Sequence, residues 1–165
     1  MYGIALFEEM CVGCRSCTVA CQAVRGLAAG AAPLEIKITE EVDPGRGLRL
    51  RFSAEACRHC DDAPCVEACT VDAMRRESSG RVVLEEAECI NCGSCVEACL
   101  YGAVVLDEDR KTAVKCDLCS ARIEAGLQAA CTAACPGKAI YAGDLEQISP
   151  EISGRRARME KARRR

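Results

Sequence analysis

The sequence predicts an α+β protein of short β-hairpins and short helices. Sixteen of its 165 residues are cysteine, and they fall into four groups of four, each ending in Cys-x-x-x-Cys. Tryptophan is absent, and two Phe and three Tyr leave little aromatic core. Between the cysteine groups run short alternating segments punctuated by turn residues.

The elements follow in chain order. A one- to two-turn helix is expected from Cys17 to Ala23. Leu34–Thr39 and Leu48–Phe52 alternate apolar and polar residues around Asp43-Pro-Gly-Arg-Gly47, which reads as a β-hairpin. Short helices are expected at Val66–Thr70 and Val96–Leu100. Ala73–Leu84 reads as a second hairpin turning at residues 78–80, and Ala103–Val114 as a third turning at residues 107–110. Ser120–Ala130 predicts one longer helix despite Gly126. The stretch from Pro150 to Arg165 has no cysteine and seven basic residues, and reads as a tail, helical from Glu151 with Pro150 near its first turn.

A chain so short of apolar bulk needs staples. Disulfides would require an oxidising compartment. The segment before Cys11 has no basic residue ahead of Glu8 and Glu9, and its apolar run is too short for a secretion leader. Thiolate-bound metal is the better staple, and its loss should unfold the chain. The absence of a leader leads us to expect a cytoplasmic protein, with export beside a signal-bearing partner left open. No apolar stretch is long enough to cross a bilayer, so no direct membrane insertion is expected.

The groups are Cys11, Cys14, Cys17, Cys21; Cys57, Cys60, Cys65, Cys69; Cys89, Cys92, Cys95, Cys99; and Cys116, Cys119, Cys131, Cys135. Four thiolates are what one [4Fe–4S] cubane needs, so the count reads as four cubanes. The first and third groups have the Cys-x-x-Cys-x-x-Cys-x-x-x-Cys spacing of bacterial ferredoxins, in which the fourth cysteine ligates a neighbouring cluster. The second group widens one gap and the fourth widens it further. Taken alone, the fourth also suits a tetrahedral zinc site. The formal charge is −3. Four oxidised cubanes would add roughly −8, which the surface arginines would offset locally.

The order of the groups, the stretch Cys57-x-His59-Cys60-x-x-x-Pro64-Cys65, and Lys115-Cys116-Asp117-Leu118-Cys119 followed by Cys131-x-x-x-Cys135-Pro136 resemble the four-cluster iron–sulfur electron-transfer subunits of molybdenum and tungsten oxidoreductases. The resemblance covers residues 2–145. It implies two ferredoxin-like modules, one inserted in the other. Residues 1–52 and 109–148 would form the outer module and residues 53–108 the inserted one, leaving residues 149–165 as the basic tail. It also implies crossed ligation. Cys11, Cys14, Cys17 and Cys135 would hold cluster 1, and Cys21, Cys116, Cys119 and Cys131 cluster 2. Cys57, Cys60, Cys65 and Cys99 would hold cluster 3, and Cys69, Cys89, Cys92 and Cys95 cluster 4. The sequence departs from the pattern at Gln22, Thr70 and Leu100, which replace the usual proline after the last cysteine and add N–H donors near the clusters.

The expected function is relay of single electrons, without catalysis, between a large catalytic subunit and a second redox subunit or soluble acceptor. With four thiolates per cluster no iron is open to substrate. The resemblance favours a tungsten or molybdenum pterin enzyme, such as an aldehyde oxidoreductase or formate dehydrogenase, as the catalytic partner. Hydrogenase and carbon monoxide dehydrogenase stay open, as does a free, diffusible polyferredoxin. The basic tail reads either as a solvated end or as a docking arm that reaches a neighbouring subunit or a second copy. Net acidity and scarce aromatics argue against nucleic acid.

Outside the ligands, His59 is expected to hydrogen-bond a carbonyl or sulfide. Asp61 and Asp62 are expected in a turn or cap. Lys115 reads either as a charge close to a cluster or as a solvated residue. Tyr101 and Tyr141 are expected to pack over clusters.

Overall fold

The computed structural model describes residues 2–28, 30–150 and 153–154. The helix expected from Glu151 and the docking role of the tail fall almost wholly outside them. Among the described residues there are four two-stranded antiparallel sheets. β1 (Tyr2–Leu6) pairs with β8 (Ile140–Asp144), β2 (Leu34–Asp43) with β3 (Gly47–Ala56), β4 (Met74–Arg76) with β5 (Val82–Leu84), and β6 (Val104–Asp107) with β7 (Thr112–Lys115). The helices are α1 (Ser16–Arg25), α2 (Pro64–Glu67), α3 (Ser94–Ala98), α4 (Ser120–Glu124) and α5 (Ala130–Ala134). The fold is therefore α+β.

The three hairpins expected from alternation are present. β2–β3 closes on Asp43, whose Oδ1 accepts the N–H groups of Gly45 and Arg46 at 2.9 Å each. β6–β7 uses the same device, with Asp107 Oδ1 accepting from Asp109 and Arg110 at 3.1 Å each. Aspartate suits both places because its short carboxylate mimics a backbone turn. The base of the β2–β3 arm puts Leu34, Ile36 and Ala56 into the core, while Val42 and Leu48 near its tip stay exposed.

The pairing of β1 with β8 was not expected. It joins residues over a hundred positions apart, and no turn chemistry announces it. Phe7 N–H donates to the Ala139 carbonyl at 2.7 Å, and the Phe7 and Tyr141 rings meet edge-on at 5.8 Å. Gly137 permits a second close approach, since a Cβ there would lie 2.7 Å from the Met10 carbonyl oxygen.

The single helix expected over Ser120–Ala130 is a correction. It is two short helices. Gly126, at φ 74°, turns the chain out of α4, with its N–H and that of Leu127 closing on Ile123 and Arg122 at 2.9 Å each. Left-handed backbone is cheap for glycine, and this is a common way to end a helix. The break has a use: it returns the chain so that Ala130 N–H reaches Cys119 Sγ at 3.5 Å. Elsewhere α1 runs longer than expected, to Arg25, and ends on Gly26 at φ 61°.

The buried residues form two clusters. One gathers Leu34, Ile36, Leu118 and Ile140 around Cys17, Cys21, Cys57, Cys116 and Cys131. The other draws Met74, Val82, Val104 and Ala113 around Cys65 and Cys95, all from residues 63–113. Cysteine is core material in both.

Candidate metal centres

All sixteen cysteines are free thiols. Four loops present them, and the loops share one local device. The residue two beyond the first cysteine is left-handed in each: Gly13 at φ 67°, His59 at 49°, Asn91 at 56° and Leu118 at 61°. This conformation turns the amide of that residue back on the first sulfur. Gly13 N–H lies 3.5 Å from Cys11 Sγ, His59 N–H 3.4 Å from Cys57 Sγ, and Leu118 N–H 3.4 Å from Cys116 Sγ. At the far end of three groups an amide four or five residues on does the same. Met74 reaches Cys69 at 3.3 Å, Ala103 reaches Cys99 at 3.3 Å, and Ala139 reaches Cys135 at 3.2 Å. Such bonds favour the thiolate form and tune whatever the sulfur binds. The amides reaching the last cysteines come from further along the chain, with or without a proline next to the ligand. Gln22, Thr70 and Leu100, singled out in the sequence, are not the residues involved.

Burial sorts the thiols. It pushes Cys21 up to about 12, Cys65 to about 11 and Cys131 to about 11, and drives Cys116 higher still. Cys14 and Cys92 are exposed and lie below the usual thiol range, because Ser16 and Ser94 Oγ sit 3.4 and 3.5 Å from their sulfurs. Burial acts against Cys89 too, yet the Thr112 hydroxyl with the Ala113 and Asn91 amides pulls it down. Metal binding must displace the protons on the raised thiols.

Thiols from different groups share one buried cluster, with Cys17, Cys21, Cys57, Cys116 and Cys131 inside it and Cys99 packed against it. After burial, the neighbours that raise Cys21 are Cys119, Cys131 and Asp117, against the Arg25 charge, and Cys135 acts on Cys17. Cys57 and Cys99 act on Cys65, and Cys89, Cys92 and Cys69 act on Cys95. Cys131 feels both Cys119 and Cys17. One cavity has Cys69, Cys89, Cys92 and Cys95 in its walls, with Val71, Ile90, Leu106 and Ala113 closing it.

The donor set fits a polynuclear cluster. A zinc ion with bonds of about 2.3 Å would draw four sulfurs to within about 4 Å of one another. Among the described residues no three His, Cys, Asp or Glu side chains come together as a single ion requires. A cubane spreads its thiolates wider, because each binds a different iron.

His59 is buried and its imidazole is neutral, since burial takes its pKa down to about 3, helped by Lys115. Val82 N–H donates to its Nδ1 at 3.0 Å, while its Nε2 is buried with no partner among the described residues. Lys115 is not solvated; it is 2% exposed. Asp61 and Asp62 stand in the turn before α2, and Asp61 pairs with Arg76. Tyr141 is buried. Tyr101 is 39% exposed and carries the Arg58 guanidinium 4.0 Å from its ring centre, so it does not form the dry cover expected of it. Arg25 belongs to no motif and is silent in the sequence. Its side chain pairs with Glu86 at 3.0 Å and Asp117 at 3.1 Å, and so ties α1 to the approaches of the third and fourth cysteine groups.

A family described as a 4Fe-4S dicluster domain matches residues 48–145. The chain belongs to this iron–sulfur family. It is 37% identical over 154 residues to protein NrfC of Escherichia coli, covering 92% of this chain and 69% of that one. It is 33% identical over 142 residues to the thiosulfate reductase electron transfer subunit PhsB of Salmonella typhi, covering 85% and 74%. A putative dimethyl sulfoxide reductase iron-sulfur subunit of Halobacterium salinarum is 30% identical over 181 residues, covering 92% and 69%. With sixteen free cysteines in four such groups, the family accounts for four [4Fe–4S] clusters.

Proposed function

We propose that this protein is an electron-transfer subunit, which passes single electrons between a catalytic oxidoreductase subunit and a second redox partner. Bound cubanes supply reversible one-electron chemistry. The chain's part is to hold them with thiolates, aim amides at the sulfurs and keep water out. The observation that carries the reading is the continuity of the thiols: Cys17, Cys21, Cys57, Cys116 and Cys131 share one buried cluster with Cys99 packed against it, so all four cysteine groups meet in one core.

We assign Cys11, Cys14, Cys17 and Cys135 to one cubane, and Cys21, Cys116, Cys119 and Cys131 to the next. Cys57, Cys60, Cys65 and Cys99 hold a third, and Cys69, Cys89, Cys92 and Cys95 the fourth. Support comes from the packing of α1 against α5, which brings Cys17 and Cys21 to the segment holding Cys131 and Cys135, and of α2 against α3, which brings Cys65 to the segment ending at Cys99, together with the cavity shared by the last set. The second buried cluster, drawn from residues 63–113, and the pairing of β1 with β8 support nesting of one ferredoxin-like module inside another.

The relatives named as subunits of thiosulfate and dimethyl sulfoxide reductases support a large catalytic partner. We take that partner to carry a tungsten or molybdenum pterin. Anaerobic purification through high-salt washes tests this. A large subunit should remain bound, with tungsten or molybdenum near one atom per catalytic chain. Isolation of the small chain alone with its iron intact would favour a diffusible carrier, and a partner lacking both metals would remove the pterin assignment.

A further inference from the structure

Lys115 ends β7 and immediately precedes Cys116. It is the largest of the fully buried side chains. Its Nζ donates to the Val82 carbonyl and, at 2.8 Å, to the Cys116 carbonyl. Among the described residues no carboxylate pairs with it. An ammonium taken out of water without a counter-charge is costly, and proteins retain one only where something negative answers it.

The groups that would be anionic around it with clusters bound are ligand cysteines, and they come from two sides. Cys116 follows it in the chain and accepts its ammonium through the backbone carbonyl, while Cys65 packs in the same buried cluster as Val82, the other acceptor. Cys65 belongs to the buried cluster drawn from residues 63–113, and Cys116 to the one that also holds Cys21 and Cys131. Val82 locks the cation between them. Its carbonyl accepts a hydrogen bond from the ammonium while its N–H donates to His59 Nδ1, and the His59 amide in turn points at Cys57 Sγ. One residue's backbone thus links the Cys57 loop to the Cys116 loop, with a single positive charge at its centre.

We propose that Lys115 is the shared counter-ion of two neighbouring cubanes, those bound through Cys65 and through Cys116, and that its charge holds their reduction potentials up so that electrons cross between the two halves of the molecule. The proposal rests on the electron-transfer reading. Reduction adds one negative charge to a cluster, and a fixed cation nearby in a poorly screened interior favours the reduced form. Within several ångströms at moderate dielectric the effect is about tenfold or more in the reduction equilibrium of each cluster. For a one-electron couple tenfold corresponds to about 59 mV.

The test is an anaerobic redox titration of the holoprotein followed by EPR, with iron content measured in parallel. In Lys115→Met two of the four potentials should fall by at least about 59 mV each while the other two stay within a third of that. Lys115→Arg, which keeps the charge, should hold all four close to the parent. Unmoved potentials in Lys115→Met with full iron, or an equal fall in Lys115→Arg, would overturn the proposal and leave the electron-transfer reading standing. Absence of cubanes from the parent protein would remove that reading itself. Should Lys115→Met lose iron, loss confined to two clusters, with iron retained in Lys115→Arg, supports the counter-ion. Loss spread over all four overturns it.

Discussion

In the loop from Cys11 to Cys17 the two left-handed residues are Gly13 and Arg15; in the loop from Cys89 to Cys95 they are Asn91 and Gly93. Each loop follows a short 3₁₀ turn, each puts a serine beside its second cysteine, and each feeds a helix that begins at that serine. The backbones are twins, yet the glycine has changed places. The reason lies in what covers each loop. A Cβ on Gly13 would stand 2.7 Å from the Phe52 ring and 3.2 Å from Ile38, both on the β2–β3 arm, whereas a Cβ on Gly93 would find only Leu106 at 3.8 Å. Gly13 is required by packing, whereas at Gly93 glycine only eases a left-handed backbone that Arg15 also adopts in the twin loop. The helices differ too. Cys21 lies inside α1, which runs on to Arg25, while α3 stops before Cys99 and leaves that sulfur to the Ala103 amide. One loop motif is thus held in two ways, by the arm and a cation in the first half and by returning backbone in the second.

Four experiments would break or sharpen this comparison. The largest effect is expected from stripping the iron. Because Cys17, Cys21, Cys65 and Cys95 are core residues of the two buried clusters, both loops should be lost together, with far-UV circular dichroism showing broad unfolding. Survival of one half would mean that its loop stands without metal. Next comes an exchange of the twins. Gly13→Asn should destabilise the holoprotein by about 2–3 kcal/mol through overpacking against Phe52. Asn91→Gly should change it by less than about 1 kcal/mol. Rates of cluster bleaching in guanidinium compare the two directly.

A smaller loss is expected from Arg25→Met, since Glu86 and Asp117 are each partly exposed and keep water when the guanidinium goes. About 1–2 kcal/mol is expected on the same bleaching assay. A loss of 4 kcal/mol or more, on the order of a fully buried pair, would contradict the partial exposure. The smallest effect belongs to Ser16→Ala and Ser94→Ala. Each removes a hydroxyl from an exposed sulfur, so the potential of the attached cluster should drop by less than about 59 mV, and equally in the two. A drop in only one would show that the loops are not equivalent.

Much of this was legible in the sequence because cysteine spacing is local. Four thiolates two or three residues apart announce a cluster loop without any tertiary information, and alternation around Asp43 and Asp107 announces two of the hairpins. The rest depends on contacts between distant segments. Nothing near Tyr2 signals its pairing with Asp144. Lys115 reads either as a charge close to a cluster or as a solvated residue until β5 is laid across it. The helix over Ser120–Ala130 looked continuous because Gly126 costs a helix only about 1 kcal/mol, and the return of Cys131 to Cys119 outweighs that. Leu118 and His59 in left-handed backbone carry no signature of their own, although Gly13 and Asn91 in the same place of the other loops were there to be compared. Tyr101 differs from its expected role because an aromatic beside a cysteine group says nothing of which side it faces.

Low-temperature EPR of the dithionite-reduced native protein, with iron counted on the same sample, tests the central claim most directly. About sixteen irons per chain and spectra of several mutually interacting reduced cubanes are predicted. A colourless protein with zinc in place of iron, or reduced clusters that show no interaction with one another, would contradict it.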